Sequence, residues 1–245
     1  MPSPIAHSAA GALALAYRGR HGRARSANMT SSGDSDLELL ESWRGGNRRA
    51  GERLLSKYFE GIRHFFRVKY LEAHEDLLQE TFSRVVQNRD EFRGESSFKT
   101  YLFRIARYVG HEYVRKRYRH GGDFSPADSS LADLTGRRQS SLLAEREEHR
   151  LLLDSIQHLK LEQLDVIHLY YWEEMSAKQV GEALEVPEST VRSRLRMAKS
   201  NLAKLHRDLG DKEHSRDLSE EDIEQWLEAL RDELRRAPSK QGDEH

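Results

Sequence analysis

Residues 176–202 have the sequence SAKQVGEALEVPESTVRSRLRMAKSNL, which contains two helical segments joined by a short turn. Ser176 is a favourable helix N-cap, and the first segment extends to Leu184. Pro187 stands just before the second segment, where a proline is well tolerated. This order of capping residue, short helix, turn and longer helix predicts a helix-turn-helix.

The second helix of this motif has an apolar side and a cationic side. Val191, Leu195, Ala198 and Leu202 recur at helical spacing and predict the buried side. The outward side suits the major groove of DNA, where Arg pairs with guanine, Ser binds a base or a phosphate, and Lys binds the phosphate backbone. The alternative is a solvated basic helix in an ordinary bundle. The candidate DNA-binding residues are Thr190, Arg192, Ser193, Arg196 and Lys199.

Helical patterns also dominate the rest of the chain. Apolar residues recur at helical spacing within residues 37–43, 54–66 and 77–86, and along a fourth segment from Tyr101 to about Tyr118. No stretch shows sustained alternation of β-branched residues, so we find no sheet. We predict an all-α protein with two small helical domains, in which a flexible linker joins a four-helix bundle to the helix-turn-helix.

The fourth segment carries aromatic and basic residues opposite its apolar stripe. Between Lys99 and Arg119 the chain has seven basic residues and one acid, Glu112. Bases of a single strand stack on aromatic rings for about 1 to 3 kcal/mol each, while neighbouring cations hold the backbone. The alternative is that each ring packs against another helix of the bundle. The residues concerned are Phe98, Tyr101, Phe103, Arg104, Tyr108, His111 and Arg115.

Composition excludes several classes of function. The chain has 40 Lys and Arg against 41 Asp and Glu, so its formal net charge is −1 and its basic helices are balanced by acidic segments. A chain without cysteine has no disulfide, no thiolate nucleophile and no cysteine-ligated zinc. We find no phosphate-binding glycine loop and no histidine pair of the zinc-protease type. The longest apolar stretch, residues 9–17, is far shorter than the roughly 20 residues that cross a bilayer. We expect a protein that is not an enzyme, with no metal, cofactor or membrane insertion.

The two ends of the chain differ in charge. Residues 1–28 contain four arginines and no acid, which is typical of a disordered basic arm or a transit peptide, unless translation begins at Met29. Residues 211–245 contain twelve acids against six Lys and Arg, with an amphipathic helix from Ser219 to about Arg236. This helix either packs on the chain's own domains, binds a partner, or inhibits by covering a DNA-facing surface with negative charge.

Two motifs lie in the predicted bundle and in the helix-turn-helix. The first consists of residues 76–82, DLLQETF, followed by residues 92–106, FRGESSFKTYLFRIA. The second consists of residues 176–184 followed by residues 186–195, VPESTVRSRL. In this order and spacing they resemble the second and fourth conserved regions of the bacterial sigma factors of the extracytoplasmic-function (ECF) class, over about residues 36–209.

The resemblance implies an alternative sigma factor, a non-catalytic subunit that joins core RNA polymerase in the cytoplasm, directs it to promoter DNA and helps to open the duplex. The helix-turn-helix would bind the minus-thirty-five element, and the bundle would hold an unstacked base of the minus-ten element. The residues implied for the minus-ten element are Phe92, Phe98, Tyr101, Phe103, Arg104, Tyr108, Glu112 and Arg115. Those implied for polymerase binding are Asp76, Gln79 and Glu80. The resemblance also implies an inhibitory anti-sigma protein as a partner.

Several positions depart from the pattern of that family. Tyr101 stands where Trp is common, Tyr108 where Asn is common, and Glu112 where Asp or Asn is common. In the helix-turn-helix, Gly181 replaces a usual Ala. The promoter sequence therefore cannot be transferred from the family to this chain.

Five segments follow from these observations. They are a basic arm or misassigned start at 1–35, a region 2 bundle at 36–119, a linker at 120–142, a region 4 helix-turn-helix at 143–209 and an acidic extension at 210–245. Two other functions fit the residues, namely a stand-alone helix-turn-helix regulator and an adaptor that binds polymerase. A requirement for core polymerase in specific transcription would separate the three.

Overall fold

The structure, a computed structural model, describes residues 35–70, 72–119, 151–209 and 218–236. Within these ranges every regular element is a helix, and the chain divides into two compact units. The first unit contains the described residues up to Phe66 and from Ala73 to Arg119, and the second contains the other described residues. The predicted all-α fold with two small helical domains is confirmed.

Four helices account for the first unit. They are α1 (Asp36–Arg44), α2 (Arg48–Arg67), α3 (His74–Asn88) and α4 (Phe98–Arg119). A capping box starts α1: the Ser35 hydroxyl accepts a hydrogen bond from the Glu38 amide at 3.2 Å, and the Glu38 carboxylate accepts one from the Ser35 amide at 2.6 Å. The local sequence therefore determines where α1 begins.

Aromatic side chains fill much of the core of this unit. The Phe65 ring packs edge to face against Phe66 and Phe103, with centroid distances of 5.5 and 5.6 Å. The apolar pattern placed Leu37 on the buried side of α1, but this side chain is 53% exposed and Leu39 is buried in its place. The pattern was wrong there because the rotation of a helix of nine residues is set by its neighbours.

One such neighbour of α1 is Gly51 on α2. A Cβ atom at this position would lie 2.6 Å from two atoms of the Trp43 ring, so only glycine allows the indole to approach so closely. The guanidinium of Arg89 also lies over the indole, 5.6 Å from the ring centroid. Contacts to α2 and to the residue that follows α3 thus hold Trp43 and orient α1.

An ion pair joins α3 to α4. The Arg84 guanidinium lies 2.7 Å from the Glu112 carboxylate, which Lys116 also approaches to 3.0 Å. Hydrogen bonds from Arg84 and then from Lys116 lower the pKa of Glu112 to about 2, against the opposing effect of burial. Glu112 is therefore ionised at neutral pH and committed to these two cations.

The second unit is built around one long helix. Residues 151–157 are helical, and α5 (Leu161–Ile167) continues into a single π-helical turn at His168–Trp172. The elements that follow are α6 (Ala177–Leu184), α7 (Glu188–Leu209) and α8 (Glu220–Arg236). Helix α7 packs on α5, α6 and α8, so the core of this unit lies along its apolar side.

The C-terminal helix α8 is part of the second unit. Ser219 caps it by accepting a hydrogen bond from the Asp222 amide at 3.1 Å. Its carbonyl at Leu227 accepts a hydrogen bond from the Trp172 indole N–H at 3.3 Å. Three of its side chains have no exposed surface, those of Ile223, Leu227 and Leu230. The alternative in which this helix packs on the chain's own domain is therefore confirmed.

Some predicted segments lie outside the described residues. These are the basic arm apart from Ser35, the linker at 120–142, and the parts of the acidic extension before residue 218 and after residue 236. No helix in the described ranges is long and apolar enough to cross a membrane.

Replacing Gly51 by alanine should destabilise the protein. Alanine favours a helix by up to about 1 kcal/mol over glycine, but overpacking against the Trp43 ring costs about 1 to 3 kcal/mol. Urea unfolding followed by circular dichroism measures the difference. The exposed Ser56→Ala substitution on the same helix is the control and should be neutral or slightly stabilising. A Gly51→Ala protein more stable than the wild type would contradict the close approach of the indole.

The ion pair of Glu112 should make stability depend on acidic pH. The folded-state pKa of about 2 lies below the ordinary value of about 4.3 for an unfolded chain. The stabilisation is therefore fully present above about pH 4.3 and is lost as the pH falls towards 2. We expect Glu112→Gln to lower the free energy of unfolding at pH 6 by about 0.2 to 1 kcal/mol and to have no effect near pH 2. Glu95→Gln, at an exposed loop residue, is the control in the same urea titrations.

Candidate nucleic-acid interface

The turn of the helix-turn-helix is tightly constrained. Glu185 adopts a left-handed conformation with φ 53°, which ends α6, and the Val186 amide donates a hydrogen bond to the Gly181 carbonyl at 3.0 Å. A Cβ atom at Gly181 would lie 2.7 Å from the Val186 carbonyl oxygen. The departure from the family's usual alanine at Gly181 therefore has a structural reason in this chain, because the turn passes too close for a side chain.

Local sequence positions both helices of the motif. The Ser176 hydroxyl accepts a hydrogen bond from the Gln179 amide at 3.3 Å, and the Gln179 side chain accepts one from the Ser176 amide at 2.9 Å. Helix α7 starts directly after Pro187. The predicted apolar stripe is buried, with Val191, Leu195, Ala198 and Leu202 all facing the core.

The burial of that stripe orients the candidate DNA-binding residues. Arg192, Ser193 and Arg196 are exposed, and Thr190 is half-buried. The Arg192 guanidinium lies 2.5 Å from the Glu188 carboxylate one turn earlier, but the arginine side chain keeps 70% of its surface exposed. Exposed pairs of this kind contribute little to stability, so Arg192 is available to a stronger anion.

Lys199 has a different environment. Its ammonium lies 2.6 Å from Glu224 and 3.0 Å from Glu220, both on α8, and only 13% of its side-chain surface is exposed. Burial by itself would lower the pKa of Lys199, but the hydrogen bonds that its ammonium donates to Glu224 and Glu220 raise the pKa. The lysine predicted to bind phosphate is therefore already paired within the chain.

On α4, the structure separates the predicted aromatic residues into exposed and buried groups. Tyr108 is 59% exposed, and an open groove of about 620 Å³ runs beside it. The residues that line this groove include Arg107, Tyr108, His111, Val114, Arg115 and Arg119. An exposed phenol ring among arginines can stack on a base while the guanidiniums attract phosphates.

Three of the predicted rings are buried. Phe103 is fully buried against Phe65, and Phe92 and Phe98 pack edge to face at 5.9 Å. Tyr101 is half-buried, with its ring 4.9 Å from that of Phe92. The alternative considered for each ring was packing within the bundle. The three buried rings follow this alternative, because helices lie on more than one side of α4. A DNA contact by any of them stays a prediction.

Arg44 holds the loop that carries Phe92. Its guanidinium donates hydrogen bonds to the carbonyl of Phe92 at 2.5 Å and to the carbonyl of Arg89 at 2.6 Å. These bonds bring the end of α1 to the segment between α3 and α4. The position of the Phe92 ring therefore depends on a residue 48 positions earlier in the chain.

The candidate polymerase-binding residues lie on one side of α3. Asp76, Gln79 and Glu80 are all exposed, at spacings of three and four residues. Glu80 also accepts a hydrogen bond from Arg84 at 2.7 Å. Because Arg84 binds Glu112 as well, this surface is continuous with the ion pair between α3 and α4.

Sequence reasoning did not single out three residues that now belong to these surfaces. Arg44 and Arg84 position a loop and a carboxylate, and no local pattern distinguishes them from other arginines. Met197, an apolar side chain that is 54% exposed, lies on the outward side of α7. A helical projection would have placed it with Thr190 and Ser193, at intervals of seven and four residues.

Comparisons with known proteins agree with this architecture. Residues 52–120 match the family Sigma-70 region 2, and residues 149–202 match Sigma-70, region 4. The ECF RNA polymerase sigma-E factor of Haemophilus influenzae is 28% identical over 172 residues, which cover 66% of this chain and 89% of that protein. The ECF RNA polymerase sigma factor SigX of Bacillus subtilis is 30% identical over 159 residues, which cover 61% of this chain and 80% of that protein.

A solved structure supports the fold. The structure of CnrH in complex with the cytosolic domain of CnrY matches with a TM-score of 0.51 and 21% identity, and the match covers 72% of this chain and 100% of CnrH. With both conserved regions matched in order, and relatives such as SigX aligned over most of their length, the chain belongs to the ECF family of RNA polymerase sigma factors, alternative sigma factors that act with core RNA polymerase on promoter DNA in transcription initiation.

Proposed function

We propose that the two units of this sigma factor divide promoter recognition, with α7 bound to the duplex of the minus-thirty-five element and α4 bound to the opened minus-ten element. The observation that carries the proposal is the exposure of Arg192, Ser193 and Arg196 on a helix whose opposite side is fully buried. In this proposal the chain is a non-catalytic subunit that works in the cytoplasm, and the reaction is that of the polymerase.

Helix α7 has the chemistry required for direct base recognition. Arg192 and Arg196 can each form two hydrogen bonds with the O6 and N7 atoms of guanine, and Ser193 and Thr190 can bind a base or a phosphate. Met197 adds an exposed apolar surface beside them, which suits the methyl group of thymine. These residues therefore distinguish base pairs, whereas more distant cations such as Lys204 contribute a contact to the backbone.

Helix α4 has the chemistry required to hold an unpaired strand. Tyr108 offers its ring, and Arg104 and Arg115 offer cations to the phosphates on either side. Glu112 is fixed by Arg84 and Lys116, so its carboxylate is a preorganised acceptor for an exocyclic amino group of a base. Phe92, Phe98, Tyr101 and Phe103 form the support beneath this surface, since three of them are buried.

The polymerase contact is proposed for the exposed side of α3, through Asp76, Gln79 and Glu80. Two carboxylates and an amide at helical spacing present acceptors to a basic or polar helix of a partner. An anti-sigma protein is a further partner that we propose from family membership. A second chain that co-purifies with this protein and abolishes its transcription with core polymerase would identify that partner.

Specific transcription tests the proposal as a whole. Transcript 5′ ends mapped after overproduction of the chain would define a promoter, and the purified full chain would then be added to bacterial core RNA polymerase on that promoter. Transcription from the mapped start should require the chain. Duplex binding without polymerase, or polymerase binding without selection of a start site, would instead indicate a stand-alone regulator or an adaptor.

Substitutions in α7 should relax recognition of the upstream element. With the holoenzyme, Arg192→Ala and Arg196→Ala should each cost about 1 to 3 kcal/mol of discrimination at one base pair, measured by competition between the promoter and single-base variants. Lys204→Ala is the matched control, because loss of a phosphate contact weakens all sequences equally. Met197→Ala should reduce a preference for thymine at one position. Equal effects of Arg196→Ala and Lys204→Ala on every duplex would contradict base recognition by α7.

Substitution of Tyr108 should impair strand opening rather than duplex binding. Removing a ring that stacks on an unpaired base costs about 1 to 3 kcal/mol, so Tyr108→Ala should reduce permanganate reactivity of thymines in the minus-ten region about 5- to 150-fold. Tyr108→Phe keeps the ring and should retain most of the activity. Affinity for the closed duplex should change little. An opening defect equal to the loss of closed-complex binding would show that Tyr108 acts elsewhere.

A further inference from the structure

Helix α8 lies against the helix that we assign to the upstream element. Its buried side contacts α7 and the π-helical turn. It is also joined to the domain by the hydrogen bond of 3.3 Å from the Trp172 indole to the Leu227 carbonyl and by an ion pair of 3.1 Å between Arg231 and Glu174. The family match ends at residue 202, before this helix begins. Helix α8 is therefore an addition to the region 4 domain that is firmly attached to it.

The acidic side of α8 meets α7 at Lys199. Glu224 accepts hydrogen bonds from the Lys199 ammonium at 2.6 Å and from the Tyr171 hydroxyl at 3.1 Å, and Glu220 lies 3.0 Å from the same ammonium. The bond to Lys199 lowers the pKa of Glu224, while burial and then the charge of Glu224 raise the pKa of Tyr171. Both partners of Glu224 thus remain donors at neutral pH, and the lysine is surrounded by acceptors.

The sequence predicts that Lys199 binds the DNA backbone, on the same side of α7 as the arginines proposed to bind bases. It follows Arg192 by seven residues and Arg196 by three, so the three cations share one side of the helix. A phosphate that approached Lys199 would have to displace two carboxylates. DNA and α8 therefore compete for the same cation.

We propose that α8 is an autoinhibitory element that withholds Lys199 from the DNA backbone and so lowers the affinity of the chain for the upstream element. The inference rests on the proposed role of α7. Two of the three alternatives for this helix are then compatible, because a helix that packs on its own domain can also inhibit DNA binding by that domain. Any event that moves α8 away from α7 would free one cation and remove nearby negative charge.

A double-mutant cycle tests this inference in the full chain bound to core RNA polymerase, with the mapped promoter duplex as the probe. Glu220→Gln combined with Glu224→Gln should tighten duplex binding about 5- to 10-fold at moderate salt. The slope of log affinity against log salt should steepen by about one phosphate contact, or roughly 0.9. Lys199→Ala should change wild-type affinity less than about two-fold but should abolish the gain in the double variant.

Charge-matched control variants distinguish the specific ion pairs of Lys199 from a general electrostatic effect of the acidic helix. Glu221→Gln combined with Glu228→Gln removes the same charge from exposed positions of α8, and any gain should be smaller and should persist after Lys199→Ala. Glu220→Gln alone, at a side chain that is 58% exposed, preserves the packing of α8 and should give part of the gain. This single variant replaces the double variant in the assay if the double variant proves unstable in urea unfolding.

Four results would overturn the inference: no gain in the Glu220 and Glu224 double variant, equal gains in both sets of variants, a gain of the Glu220 and Glu224 double variant that survives Lys199→Ala, or a large loss from Lys199→Ala in the wild type. Arg196→Ala in the same assay keeps the proposed function separate. If Arg196→Ala loses discrimination while the α8 variants bind as the wild type does, only the autoinhibition is wrong. If Arg196→Ala has no effect either, the assignment of α7 fails.

Discussion

Burial of one side of α7 is the constraint on which the proposed DNA surface depends. Val191, Leu195, Ala198 and Leu202 pack against the neighbouring helices of the second unit, and this fixes the rotation of the helix about its axis. The cations cannot turn inward without losing that apolar contact, at roughly 1.5 to 3 kcal/mol for each large side chain. Arg192, Ser193 and Arg196 are therefore presented outward by the packing of the apolar stripe on the opposite side of the helix.

Charge is distributed in this chain so that intramolecular pairing occupies some of the cations proposed to bind DNA. The net charge of −1 conceals a cationic α4, a cationic α7 and an acidic α8. Where a carboxylate is fixed beside a cation, as at Glu112 with Arg84 or Glu224 with Lys199, that cation is less available to a phosphate. On each unit, the surface proposed to bind DNA is thus smaller than a count of Lys and Arg on its helix indicates.

The sequence predicted helices better than it predicted their rotation and neighbours. Capping residues such as Ser176 and Ser219, and the stripe along α7, act through contacts within a few residues, so the pattern identified them. Leu37 was expected on the buried side of α1 but is exposed, because the neighbours of this short helix set its rotation. Phe103 follows the packing alternative, because α4 contacts more than one helix and buries more than one stripe. Lys199 was expected to be accessible to DNA. Its pairing with Glu220 and Glu224 could not be predicted, because these residues follow it by 21 and 25 positions in the chain.

By itself, the sequence determined the helical class, the order of the two conserved motifs, the helix-turn-helix and the amphipathic C-terminal helix. These are properties of spacing, capping and composition, which depend on local backbone geometry. Only the tertiary structure decided which rings are exposed, which glycine admits the indole of Trp43, and which cation α8 holds. Those outcomes depend on contacts between segments distant in the chain, where a single ångström separates a permitted approach from a clash.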